Sequence, residues 1–232
     1  MTLDSMKQEL FGGWKPFEIF WIFLFLGAQL FAFYQDPASV LDMVAGIAGI
    51  LCVVFVGKGK ISNYLFGLIF AYSYFYVSLG NKFYGEVTTT IFVYIPAQFI
   101  GYFLWKQNMT TNKKEGELVS AKNLSLKGWL TLIATVAVGT FVFISILKTT
   151  DGNSVSLDGL TTVLVVAAQL LMILRYSEQW ILWIIINILS IMLWANSPAM
   201  YMMYGAYLLN SVYGYYNWRQ LAKVKPELSL SK

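Results

Sequence analysis

The chain has 232 residues, of which 58% are hydrophobic and only 12% are charged. About a quarter of the residues of an ordinary soluble domain are charged, so this composition excludes such a domain and predicts an integral membrane protein. A single cysteine, Cys52, excludes a disulfide framework within one chain.

A helix that crosses a bilayer needs roughly 20 apolar residues, within a range of about 17 to 25. Eight segments meet this requirement, of which the second and seventh are at the short end. In chain order they are Phe17–Tyr34, Val40–Val56, Ile61–Leu79, Val87–Trp105, Trp129–Leu147, Leu157–Leu174, Trp180–Ala195 and Met200–Trp218. The predicted fold is therefore all-α, with eight transmembrane helices.

The basic residues are distributed unevenly between the two sides of these spans. With eight spans both termini lie on one side, which receives 14 of the 16 Lys and Arg residues, against only Lys82 and Lys148 on the other. Cytoplasmic loops carry an excess of Lys and Arg, so both termini are predicted to be cytoplasmic. The net charge of +4 thus reflects topology, and no nucleic-acid partner is expected.

The fourth and eighth spans end in similar sequences, which suggests an internal repeat. Residues 101–106 read GYFLWK and residues 214–219 read GYYNWR, while Asp42 and Asp158 open the second and sixth spans. Parallel repeats of this kind occur in transporters, with the substrate between the halves. Coincidence is the alternative, because aromatic and basic residues are common at the inner interface.

The repeat predicts an organisation of three, one and three helices after an extra N-terminal helix. The predicted segments are a cytoplasmic N-terminus with the extra helix (1–39), a first three-helix repeat (40–106), a cytoplasmic linker with the connecting helix (107–156), a second repeat (157–219) and a cytoplasmic tail (220–232).

Polar and aromatic side chains share faces of the apolar segments. At about 100° per residue, Trp180, Trp183 and Asn187 form one stripe of the seventh span. The inward faces of the eighth, fourth and third spans carry Asn210 and Tyr213, Tyr94 and Gln98, and Phe66, respectively. Polar side chains within a membrane usually face the interior of the bundle or a cavity. The pattern predicts a pocket, and the alternative is that the amides only join helices.

Four tryptophans near span ends have a second interpretation. Trp105, Trp180, Trp194 and Trp218 are expected to be interfacial anchors more than ligand contacts.

Ionisable and reactive residues are scarce within the spans. The chain has no His, and the acids near the spans, Glu18, Asp42, Glu86, Asp158 and Glu178, occur only at their ends. Proton relays normally need ionisable groups within the membrane. No catalytic, metal-binding or nucleotide-binding motif is present. The sequence therefore predicts a non-enzyme without cofactor or metal, and facilitated diffusion without ATP or proton coupling. Sodium held by backbone carbonyls remains open.

The chemistry of the predicted pocket indicates the class of its ligand. Aromatic side chains stack with flat rings and favour cationic ones, while Tyr, Asn and Gln hydrogen-bond with hydroxyls. The absence of a buried Arg or Lys argues against a phosphorylated substrate.

The motif Trp180-x-x-Trp183 with Asn187, followed by Asn210-x-x-Tyr213, resembles the PnuC nicotinamide riboside transporters, which are related to the SWEET sugar carriers. The resemblance implies a bacterial inner-membrane facilitator that imports nicotinamide riboside, an NAD precursor, by alternating access. It also implies retention of the substrate by intracellular phosphorylation, and a homotrimer.

The resemblance further implies roles for individual residues. Trp180 and Trp183 would frame the nicotinamide ring, and Asn187, Asn210, Tyr213 and Gln98 would bind the amide or the ribose. Tyr94 and Phe66 are added on helical geometry. Thiamine, riboflavin or a sugar-like solute remain alternative substrates, and a non-transporting membrane scaffold remains an alternative function.

Overall fold

A computed structural model describes residues 3–35, 37, 40–112, 116–150 and 155–223. These residues are mostly helical, which confirms the all-α membrane class. The helices are α1 (Leu3–Phe11), α2 (Pro16–Gln35), α3 (Val40–Lys58), α4 (Asn63–Gly80), α5 (Tyr84–Thr89), α6 (Ile95–Lys106), α7 (Leu126–Leu147), α8 (Val155–Ile173), α9 (Gln179–Leu193) and α10 (Pro198–Leu221), with a π-helical segment, Thr90–Tyr94, between α5 and α6.

Each predicted span coincides with a helix. Within the described residues, five helical segments are long and apolar enough to cross a membrane: α2, α3, the continuous segment Tyr84–Lys106, α7 and α8. Helix α9 is apolar but has only 15 residues. Helices α4 and α10, with 18 and 24 residues, carry many Tyr, Ser and Asn side chains. The predicted tail lies mostly outside the described residues, as do Lys113, Lys114, Lys225 and Lys232 of the charge count.

A short hairpin in the linker was not predicted. Strand β1 (Met109–Asn112) pairs antiparallel with β2 (Gly116–Val119), with Met109 opposite Val119. The linker is polar and its strands have four residues each, so neither strand has a clear alternating pattern.

The π-helical segment widens the middle of the fourth span. The Ile95 N–H bonds the carbonyl of Thr90, five residues back, and the next residue, Pro96, has no N–H to donate. Segments of this kind often mark functional sites. In this protein the π-helical segment ends at Tyr94, which is one of the predicted site residues.

The helices form two interlocked units, which we call the first unit (α3–α6) and the second unit (α8–α10). Helix α3 packs against α4 and also against α10, while α8 packs against α9 and also against α5 and α6. The first helix of each unit therefore lies against the third span of the other. Helix α2 covers α3 and α10, and α7 packs against α8 with only 6% of its apolar stretch buried.

Two tryptophans join the units at one end through equivalent bonds. The Trp105 indole N–H donates to the Met172 carbonyl at 3.2 Å, and the Trp218 indole N–H donates to the Val56 carbonyl at 2.8 Å. All four tryptophans expected at the interface are at most 2% exposed. The prediction of interfacial anchors is therefore wrong, because these rings fill the contacts between helices rather than facing lipid.

Two aspartates join the units at the opposite end. Asp158, in the first turn of α8, accepts a hydrogen bond from the Gly85 N–H at 2.8 Å. Asp42, in the first turn of α3, accepts one at 3.1 Å from the hydroxyl of Ser197, the residue that caps α10. Each aspartate thus meets the start of the third span of the other unit.

The turns that follow the first helix of each unit are also equivalent. Gly59 and Arg175 both adopt the left-handed conformation, with φ of 71° and 68°. The linker connects the two turns, since the Val119 N–H donates to the Gly59 carbonyl and the Lys122 N–H donates to the Arg175 carbonyl.

Candidate functional site

A cavity lies between the two units. Its lining comes from every span of both units, and most of it is aromatic or apolar. The lining residues are Gly49, Cys52, Val53, Val56, Gly67, Phe70, Glu86, Tyr94, Gln98, Val165, Gln169, Met172, Trp180, Trp183, Ile186, Asn187, Ser190, Tyr204, Tyr207 and Ser211.

Five of the predicted site residues line this cavity: Trp180, Trp183 and Asn187 from α9, Tyr94 at the end of the π-helical segment, and Gln98 from α6. The stripe predicted on the seventh span therefore faces the cavity, and Gln98 faces it from the other unit. The Asn187 side-chain N–H donates to the Ser211 hydroxyl at 3.0 Å, which fixes the orientation of its amide.

Two glycines make room for the polar and aromatic wall. A Cβ atom on Gly67 would lie 2.2 Å from the Gln98 side-chain oxygen, and one on Gly214 would lie 2.6 Å from the Trp180 ring. Such distances are far below van der Waals contact, so any larger residue would displace Gln98 or Trp180.

Three predicted site residues lie outside the lining. The Asn210 amide donates to the Val53 carbonyl at 2.9 Å, and the Tyr213 hydroxyl donates to Glu18 at 2.6 Å. The Phe66 ring packs against Phe55, with 5.3 Å between ring centroids. Helical periodicity selected inward faces correctly, but neighbouring helices occupy these parts of them.

Four buried polar atoms of the lining residues have no hydrogen-bond partner among the described residues: the side-chain oxygen of Gln98, the side-chain nitrogen of Gln169, the indole nitrogen of Trp180 and the hydroxyl of Ser190. Buried polar groups in proteins are nearly always paired. One acceptor, two donors and a hydroxyl that can do either can together satisfy a ligand that itself both donates and accepts.

Several lining residues were missed by the sequence analysis. Gln169 is a mid-span amide of the same kind as Gln98, so the same signal could have found it. Tyr204 and Ser211 lack such a signal, because α10 has six tyrosines and a hydroxyl within a span is not distinctive by itself. Glu86 was placed before the fourth span, which was predicted to begin at Val87. The helix begins at Tyr84, so Glu86 lies within the span and is only 2% exposed.

The buried basic residues are engaged away from the cavity. Lys58 forms an ion pair with Glu18 and lies over the Trp14 ring, and Lys60 donates to the backbone carbonyls of Gln8 and Glu9. Among the lining residues of the described structure, Glu86 is the one acidic residue, and none is basic. The cavity is therefore apolar, rich in amides and free of lysine and arginine.

A helical membrane bundle that encloses such a cavity between two interlocked units has the architecture of a small-molecule transporter. Ligand sites are concave, mostly apolar and fitted with a few convergent polar groups, and transporters place them between their halves.

Comparison with known proteins gives the family. The model of the nicotinamide mononucleotide transporter family matches residues 39–220. The chain is 61% identical to the nicotinamide riboside transporter PnuC of Haemophilus influenzae, covering 96% of this chain and 99% of that relative. It is 50% identical to the PnuC of Neisseria mucosa, over 96% and 88% of the two chains. The chain belongs to the PnuC family, which is a family of transporters and not of enzymes.

A solved structure agrees with this assignment. The crystal structure of the vitamin B3 transporter PnuC superimposes with a TM-score of 0.88 at 49% sequence identity, covering 96% of this chain and 99% of that one.

Proposed function

We propose that the protein is a facilitative transporter of nicotinamide riboside. The observation that carries this proposal is the set of unpartnered atoms of Gln98, Gln169, Trp180 and Ser190 beside the aromatic wall. A carboxamide both donates and accepts, so it complements one acceptor, two donors and a hydroxyl. A pyridinium ring beside Trp183 gains stacking and cation–π attraction.

The charge distribution favours the riboside over the mononucleotide. A phosphate group is usually bound by Arg or Lys, and none lines this cavity in the described structure. Lys58 and Lys60 are already paired with a carboxylate and with backbone carbonyls, respectively. The described part of the wall therefore has no positively charged side chain to pair with a phosphate.

The transport mechanism that we propose is alternating access of two parallel three-helix repeats, 40–106 and 157–219, joined by α7 with its linker. The equivalent bonds of Trp105 and Trp218, and of Asp42 and Asp158, support this arrangement. Substrate would move down its gradient and be retained by phosphorylation inside the cell.

The proposal includes topology and assembly. The distribution of Lys and Arg favours a bacterial inner-membrane protein with both termini in the cytoplasm. The homotrimer and the relation to SWEET carriers rest on the family resemblance. Light scattering of the purified protein in detergent measures the oligomeric state, and a monomeric mass would contradict the homotrimer.

Calorimetric titration of the purified protein with nicotinamide riboside, nicotinamide, thiamine and nicotinamide mononucleotide tests the substrate. We expect saturable binding of the riboside, much weaker binding of nicotinamide because the ribose contacts are lost, and rejection of the mononucleotide. Preferred binding of thiamine would assign another vitamin, and the absence of any saturable ligand would favour a scaffold.

Three variants test the site. Trp183→Ala should weaken riboside binding about 30-fold, which corresponds to about 2 kcal/mol for a desolvated cation–π contact. Asn187→Ala should weaken it about tenfold through the loss of one hydrogen bond. Asn210→Ala is the matched control, because Asn210 does not line the cavity and its amide bonds the Val53 backbone carbonyl. It should lower thermal stability and leave affinity unchanged. Unchanged affinity in both cavity variants would refute the site.

A further inference from the structure

Glu86 is a carboxyl group within a span that the transport mechanism described above does not use. It lies in the first turn of the segment Tyr84–Lys106, is 2% exposed, and forms part of the cavity lining together with Tyr94 and Tyr204. A buried charge is costly unless it is paired. The groups that surround this carboxyl group therefore decide its role.

The neighbouring carboxylate, Asp158, has its own compensation. Asp158 accepts a hydrogen bond from the backbone N–H group of Gly85 at 2.8 Å. This N–H group belongs to the first turn of a helix, where the helix dipole favours a negative charge. A Cβ atom on Gly85 would lie 2.4 Å from Asp158, so the absence of a side chain there allows this contact. Asp158 thus has a structural role.

Glu86 has a hydrogen-bond donor but no cation. The Thr161 hydroxyl donates to its carboxylate at 3.4 Å. The hydroxyls of Tyr74 and of the lining residue Tyr204 are hydrogen-bonded to each other at 2.6 Å. Within the described part of the chain, no Lys or Arg forms a salt bridge with Glu86.

We propose that Glu86 gives the cavity its preference for a cationic ring, so that it is a specificity-determining residue for N-linked pyridinium ribosides. The inference deepens the proposed function and rests on it. A positive ring in the cavity gains attraction to Glu86 that a neutral ring of the same shape lacks. This attraction is strong because the aromatic and apolar wall has a low dielectric constant.

The test compares two ligands that differ in ring charge but have the same heavy atoms. Nicotinamide riboside carries a pyridinium cation, and its dihydropyridine form is neutral. Binding of both is measured in the wild type, E86Q and E86D. We expect the wild type to prefer the cation at least tenfold. E86Q should weaken binding of the cation at least tenfold and of the neutral form less than twofold, and E86D should keep most of the preference.

The outcomes separate this inference from the proposed substrate. If the wild type binds both ribosides equally, or if E86Q weakens both in parallel, Glu86 does not sense ring charge. Equal binding in the wild type overturns the inference even if E86Q does not fold. A wild-type preference for the cation alone does not support it, because Trp183 also attracts a cation. If E86Q does not fold, the two ligands are therefore compared in Trp183→Ala: a preference for the cation that remains there supports the inference, and its loss overturns it. If the wild type binds neither riboside, the proposed function fails, and thiamine is used as the cationic ligand instead. Weaker thiamine binding in E86Q but not in E86D then supports the inference. Equal thiamine binding in the wild type and E86Q overturns it.

Discussion

The first and second units are held together by the same bonds at their ends but differ in the residues that face the cavity. Trp105 and Trp218 make equivalent bonds to the opposite unit. By contrast, the second unit has Trp180, Trp183 and Asn187 on α9. Asp42 and Asp158 open the two units about 116 residues apart, and the same offset places Tyr64, Gly67 and Ala71 at the equivalent positions of α4.

This difference shows how a repeated scaffold produces a one-sided site. The contacts at the ends require only that each unit meets the other, so they can be repeated. The proposed ligand is asymmetric, so the two units need not contribute alike, and both tryptophans of the lining come from the second unit. The first unit provides space at Gly67 and the side chains of Phe70, Glu86, Tyr94 and Gln98.

The largest expected effect concerns two equivalent glycines. A Cβ atom would lie 2.6 Å from the Tyr64 ring on Gly101 and 2.6 Å from the Trp180 ring on Gly214. We expect Gly101→Ala and Gly214→Ala each to lower the free energy of unfolding by about 3 kcal/mol through overpacking. Only Gly214→Ala should also weaken riboside binding, because Trp180 lines the cavity and Tyr64 does not.

Gly205→Ala is the control for both glycine variants. Nothing lies within 4 Å of a Cβ atom at this position of α10, so the change should be neutral or raise stability by up to about 1 kcal/mol through helix propensity. Thermal unfolding in detergent and calorimetric titration measure the two quantities. Equal losses of affinity in Gly101→Ala and Gly214→Ala would show that the units contribute to the cavity alike.

A smaller effect distinguishes the two aspartates. Asp158→Ala leaves the buried Gly85 N–H without its acceptor, and we expect a loss of about 2 kcal/mol. Asp42 is half-buried and bonds the half-buried Ser197 hydroxyl, which water can reach. Asp42→Ala should therefore cost about 0.5 kcal/mol. Thermal unfolding of both variants checks the order, and a larger loss for Asp42→Ala would contradict it.

The two tryptophan bonds that join the units should contribute equally to stability. Trp105→Phe and Trp218→Phe keep most of the ring but remove the indole N–H that bonds a buried carbonyl of the other unit. Each should cost about 1 kcal/mol. Stability losses that differ by more than twofold would mean that the two ends are not energetically equivalent. Since neither ring lines the cavity, riboside affinity should stay unchanged.

The part of the site that was predictable has a simple origin. Trp180, Trp183 and Asn187 were found because they lie on one helix, where spacing along the chain fixes their relative positions. Gln98 was found because a mid-span amide is unusual. Asn210 and Tyr213 followed the same logic, yet Val53 and Glu18 lie against them. Which neighbour covers an inward face depends on how helices pack, and periodicity within one helix carries no information about this.

The sequence by itself determined the membrane class, the positions of the helices and the stripe on α9. These properties depend on local hydrophobicity and on helical geometry, which are both written in consecutive residues. Only the tertiary structure decided that the units interlock, that Glu86 lies inside the span and that Gln169 shares the cavity with Gln98. These outcomes depend on contacts between residues distant in the chain, and the free energy of such contacts is set by close packing in three dimensions.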